Sequence, residues 1–221
     1  MPGSIVKSNL TPTFGYNVRA GRYVGPTGRF VARTQVRAAL DTTLQRSQAE
    51  MLRVSRELVN GNMNVAEWQV AMAREMRDAH TASATLAKGG WAQMTPKDYG
   101  ALGPKMKDQY GYLANFGQQI ADGEQAIDGR GFMARVEMYA QAPRGTYHEV
   151  YRGVMQDAGM DECRSVLGVA EHCDECVEEA DRGWIPIEDA VEIGDRQCLS
   201  RCKCQMEYRS SADAGGDEEG N

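Results

Sequence analysis

With 221 residues and a formal net charge of −6, the chain has room for one or two modest domains. Its hydrophobic share of 42% is that of an ordinary soluble protein, and no stretch approaches the roughly 18 apolar residues that span a bilayer, which excludes a membrane-spanning helix. The opening MPGSIVKSNLTPTFGYNVRAG has no apolar run of the kind a secretory signal carries, so a reducing compartment is expected, where clustered cysteines bind metal more often than they pair.

The charge is unevenly spread. From Met1 to Leu40 there is no acid, but there are Lys7, Arg19, Arg22, Arg29, Arg33 and Arg37. From Asp157 to Asp195 thirteen acids face only Arg164 and Arg182, and the terminal SADAGGDEEGN is acidic and Gly-rich. A basic start and an acidic end suit a protein that docks on other surfaces, although charge runs also serve as plain solvated faces.

Residues 1–33 hold Pro2, Pro12 and Pro26 without sustained periodicity, and Gly25-Pro26-Thr27-Gly28 reads as a turn. This region is expected to be a basic extended arm, ordered mainly when it lies on a partner. A helical body should follow over residues 34–158. Val36, Leu40, Leu44, Ser47, Met51, Val54 and Leu58 recur at three- and four-residue steps and predict a helix from about Thr34 to Asn60, stopped by Gly61. Asn64 and Glu67 form a capping-box pair for a second helix with the stripe Trp68, Met72, Met76, Ala79, Ser83 and Leu86, ending at Gly89-Gly90. The short link predicts antiparallel packing. Thr95-Pro96 opens a short helix to about Leu102, and Pro104 a further one to about Asp122. A last helical stretch, from Phe132 to about Gly159, should break near Pro143-Arg144-Gly145. The fold class is therefore mainly α, a bundle-like body with no strand alternation before residue 160.

Residues 159–209 have a different pattern. RSVLGVAEHC, GWIPI and CKCQMEYR read as short strands around two cysteine turns. So acidic a segment of about fifty residues cannot bury enough apolar surface to fold unaided. Five of the six cysteines are clustered here as C-x2-C (Cys173, Cys176) and, after 21 intervening residues, C-x3-C-x-C (Cys198, Cys202, Cys204). Two such clusters converge naturally on one tetrahedral zinc, giving a zinc-ribbon-like β module. The expected ligands are Cys173, Cys176, Cys198 and Cys202, with Cys204 as the alternative to Cys202. Cys163 reads as a small buried hydrophobe. A redox dithiol normally occurs with a βαβ pattern and a single C-x-x-C, and disulfides need an oxidising compartment. Residues 210–221 should form an acidic disordered tail.

No catalytic set is apparent. His80 reads as a helix-surface residue, Glu149 cannot share the helix face of His148, and His172 abuts a ligand. There is no G-x-S-x-G, Walker loop, dinucleotide fingerprint or H-E-x-x-H.

The stretches GRFVARTQV, NVAEWQVAMAREMRDAH, KGGWAQMTPKDYGALGPKMKDQYGYLANFGQQI and ARVEMYA, followed by VLGVAEHCDEC, GWIPI and C-x3-C-x-C, resemble phage head-morphogenesis (minor head) proteins. They look most like the Mu-type group, whose C-terminal parts have a similar H-C-x-x-C and C-x-C ending. The resemblance spans about residues 21–209. The related ending often carries a His-Pro element where this chain has Cys198, which leaves the third ligand open. The resemblance implies a non-enzymatic virion or assembly protein, present in multiple copies in the head and in the host cytoplasm during assembly. Its partners would be the portal, the major capsid protein, or packaged DNA through the basic arm, with no membrane partner. The other reading of the residues is a zinc-ribbon nucleic-acid-binding regulator, which the acidity of 157–195 opposes because it would repel phosphate.

Overall fold

In the computed structural model, which describes residues 5–7 and 14–214, five long helices form the body and a small antiparallel sheet follows them. The fold is mainly α. Helix α1 runs over Arg33–Val59, α2 over Val65–Lys88, α3 over Pro96–Ala121, α4 over Arg130–Gln141 and α5 over Pro143–Asp157.

The expected stripes of α1 and α2 are buried, apart from half-buried Val36. Leu40 and Leu44, early in α1, meet Leu86 and Ala87 late in α2, while Met51, Val54 and Leu58 meet Trp68, Met72 and Met76. The two helices are therefore antiparallel. At the closed end Trp68 Nε1 donates to Ser55 Oγ at 3.0 Å, so the buried indole leaves no orphan donor. Trp68, Phe116 and Phe132 meet ring to ring at 5.3–5.8 Å, joining α2, α3 and α4.

The cap signals act as they read. Asn64 accepts from the Glu67 amide and Glu67 reaches back, and Thr95 and Asp98 repeat the exchange at α3. In contrast, the two expected helices on either side of Gly103 are one. Pro104 lies inside α3, where it removes an N–H and crowds the Gly100 carbonyl. Gly100, Gly103 and Pro104 are all solvent-exposed, so water satisfies what the ladder loses, while Leu102 and Met106 keep the buried stripe in phase. Between α4 and α5 the chain does break, at Ala142-Pro143.

His80 is corrected from a surface residue to a core one. It is 1% exposed, because α5 covers the side of α2 that a two-helix pattern leaves open, and its Nδ1 lies 2.7 Å from Thr146 Oγ1.

The arm is also corrected. Strands β1 (Ile5–Lys7), β2 (Gly15–Asn17) and β3 (Arg22–Val24) form an antiparallel sheet, and residues 14–31 lie on this chain's own body. Tyr16, Tyr23 and Val31 enter the core with Leu40, Leu44 and Tyr147. Tyr23 Oη donates to the Leu86 carbonyl at 2.7 Å. The Tyr16 ring lies over Gly89, where a Cβ would come within 2.3 Å of it and where φ is +92°. Aromatic burial supplies the ordering energy that a count of arm charges does not reveal. The rest of the arm, and the tail beyond residue 214, lie outside the described residues. The start of the tail forms a short helix, α7 (Ser211–Ala214), whose Ser211 amide donates to Asp161 at 2.7 Å.

In the C-terminal sheet β4 (Glu162–Val166) is central, flanked by β5 (Ile185–Pro186) and β6 (Gln205–Arg209). Cys163 pairs with Ile185 on one side and Tyr208 on the other. With Ile187 and Tyr208 it packs on Val154 and Met155 of α5, so sheet and body share a core.

Candidate metal centre

Two loops carry five sulfurs to one place. Cys173 precedes helix α6 (Asp174–Asp181), and the amides of Cys176 and Val177 donate to its carbonyl at 3.0 and 3.2 Å. That turn brings the C-x2-C thiols side by side. Opposite it, a single 3₁₀ turn at Leu199–Arg201 separates Cys198 from Cys202, and Leu199 takes the left-handed φ of +47° to complete the bend. Cys204 follows just before β6. The Gln197 amide donates to Glu175 at 2.6 Å and ties the loops together.

Cys176 stands at the centre. Its Sγ lies 3.5 Å from that of Cys198 and 3.7 Å from that of Cys202. Two sulfurs bound to one tetrahedral ion at about 2.3 Å each lie about 3.8 Å apart, so these separations suit metal ligation. The sulfurs form two triads, Cys173–Cys176–Cys198 and Cys176–Cys202–Cys204, each with all its ligand atoms within 4.8 Å of one another. The first is half-buried apart from Cys176, and the second is fully buried. These clusters can hold a metal ion. Burial and the neighbouring thiols push Cys198 up to about 12, and the Cys202 contact and burial also raise Cys204. A bound cation would reverse this cost by stabilising the thiolates.

The four cysteines expected as ligands and the alternative Cys204 all lie in this cluster, with Cys202 and Cys204 side by side rather than exchanging one place. Cys163 is in neither triad; it is 1% exposed in the sheet core, where burial pushes its thiol up to about 11.

Gly168 and Arg196 escaped the sequence reading, and His172 was read only as adjoining a ligand. His172 places Nδ1 3.6 Å from Cys204 Sγ and Nε2 2.9 Å from the Gly168 carbonyl; its adjacency to Cys173 was the available signal. Gly168 presses on the second cysteine loop, where a Cβ would stand 2.2 Å from the Lys203 carbonyl oxygen. Arg196 is fully buried; it donates to Ser165 Oγ and the Val191 carbonyl and reaches Cys176 Sγ at 3.9 Å. No carboxylate pairs with it among the described residues, so a thiolate at Cys176 would be its nearest counter-charge. Nothing in the spacing of the sequence distinguishes it from the exposed Arg201.

Elsewhere, a cavity of about 550 Å³ separates the body from the second cysteine loop, lined by His80, Lys105, Arg135, Tyr139 and Asp195. Comparison of the chain with known protein families, curated proteins and solved structures finds no significant match.

Proposed function

We propose that this chain is a zinc-stabilised, non-enzymatic structural or assembly protein of a tailed-phage head, acting near the portal or the inner capsid surface. The observation that carries this reading is the order of sequence stretches, from GRFVARTQV through the MTPKDYG and QYGYL segments to the H-C-x2-C and C-x3-C-x-C ending, which resembles the Mu-type minor head group. Those stretches also build the joints of the fold: Arg33 from the first meets Glu207 of β6 at 3.2 Å, and Trp68, Phe116 and Val136 from the others form the main core. Zinc is the metal this reading assigns, since a cluster of five cysteine sulfurs suits a thiolate-binding ion without redox chemistry.

The partners are the portal or major capsid protein, with packaged DNA as a second surface for the arm, and the chain would occur in several copies in the virion head after assembly in the host cytoplasm. Part of the arm's charge is already engaged within the chain, because Arg33 pairs with Glu207 and Arg22 lies over the Phe30 ring. That favours protein docking over a phosphate-tracking role, as does the acidic module, which weighs against the nucleic-acid-binding regulator. Mass spectrometry of purified particles, with copy numbers, tests this. A fixed copy number per particle supports the reading, and particles from which the chain is missing contradict it. Salt-dependent duplex binding by the full chain would support the regulator instead.

A further inference from the structure

The two sulfur triads share a single atom, the Cys176 Sγ. One tetrahedral ion has four places, yet five thiols converge here, and the His172 imidazole borders the cluster at Cys204. The position of His172 is fixed from both sides. Its Nε2 is 2.9 Å from the Gly168 carbonyl, which can only accept, so in a neutral ring the proton sits on Nε2 and the lone pair on Nδ1. That lone-pair nitrogen lies 3.6 Å from Cys204 Sγ. A nitrogen and a sulfur on one tetrahedral zinc, at about 2.05 and 2.3 Å, lie about 3.6 Å apart. A backbone carbonyl holding the far nitrogen of a histidine is the usual outer support of a metal-bound imidazole.

We propose that the module holds two metal ions bridged by the Cys176 thiolate. One is bound by Cys173, Cys176 and Cys198, with its fourth place left to water at the half-exposed edge. The other is bound by the buried Cys176, Cys202 and Cys204, and the half-buried His172 turns in from Cys204 to take its fourth place. This rests on the reading of the cluster as a zinc site, and goes beyond it in the number of ions and in making His172 a ligand. Charge supports it. Two divalent ions against five thiolates leave one net negative charge, which the buried Arg196 guanidinium beside Cys176 offsets. A single ion with four thiolates would leave two negative charges against the same arginine, and a surplus thiol within the cluster.

Gly168 makes the second site geometrically feasible. It lets the 167–172 segment lie against the Lys203 backbone, which brings His172 to Cys204.

The test is the metal content of the full chain, purified reduced and without added chelator, by elemental analysis and native mass spectrometry. Two zinc ions per chain are expected. One ion per chain overturns the bridged pair while leaving the zinc reading intact, and none overturns both. His172→Ala should lower the count from two to one, with the helical circular dichroism unchanged; a variant that keeps two ions removes His172 from the ligand set. Should that variant fold poorly, the wild-type count still decides.

Discussion

His80 joins burial to chemistry at a single position. Burial, with Lys105 nearby, pulls its pKa from 6.5 to about 4, so the folded chain keeps the ring neutral. The unfolded chain takes up a proton below about pH 6.5, so the contribution of this group is fully present above that pH and falls away as pH drops toward 4. The loss should reach about 3 kcal/mol. Denaturant titrations from pH 7 to 4, comparing wild type with His80→Leu, should show a flatter profile in the variant; parallel profiles would contradict the assignment. The cysteines divide as sharply. Cys163→Ala should cost about 1–2 kcal/mol and leave metal content unchanged, as a small truncation in a packed sheet does. Cys176→Ser should abolish metal binding and unfold the module, because both triads contain that sulfur. Loss of metal in the Cys163 variant would show that the ligand set is wrong.

At the scale of elements, what the sequence made legible was local. The 3.6-residue stripes of α1 and α2, the capping box at Asn64, the break at Pro143 and the strands around the cysteines all follow from signals within a few residues. Replacing Asn64 by Ala should cost about 1 kcal/mol of stability, measurable by thermal or denaturant unfolding. What stayed hidden depends on a distant partner. The arm reads as unanchored because its charges are counted and its tyrosines are not, yet Tyr16 and Tyr23 pack edge to face at 5.1 Å in the body's second core. His80 reads as exposed because α5, more than sixty residues on, supplies Thr146. Pro104 reads as a boundary because its solvent-facing position is a tertiary fact. The cysteine cluster shows the same division: the spacing reveals the five cysteines, whereas the places of His172 and Arg196 beside them depend on how the loops fold against each other. Tyr23→Ala should destabilise the body by about 3–5 kcal/mol, the range for a large buried ring, whereas an arm ordered only on a partner would make that change neutral.

At the scale of the whole molecule, a helical body is closed by its own arm and fused to a small sheet beside a cysteine cluster that can hold a metal ion. The joint is α5. Its N-terminal part contacts the arm and α1, where Arg144 meets Asp41 at 2.6 Å, and its C-terminal part, through Val154 and Met155, forms the floor under Cys163, Ile187 and Tyr208. The main aromatic core of Trp68, Phe116 and Phe132 stands apart from that joint. On the zinc reading proposed above, metal ligation would contribute roughly 10–16 kcal/mol of apparent folding energy per structural zinc, far more than the module's few buried apolar side chains. The measurement that tests this most directly is hydrogen exchange by mass spectrometry on the reduced full chain, before and after chelation. Protection should be lost over residues 162–209 and weaken at the end of α5, while α1 to α4 stay protected. A module that remains protected once its metal is gone would contradict the account.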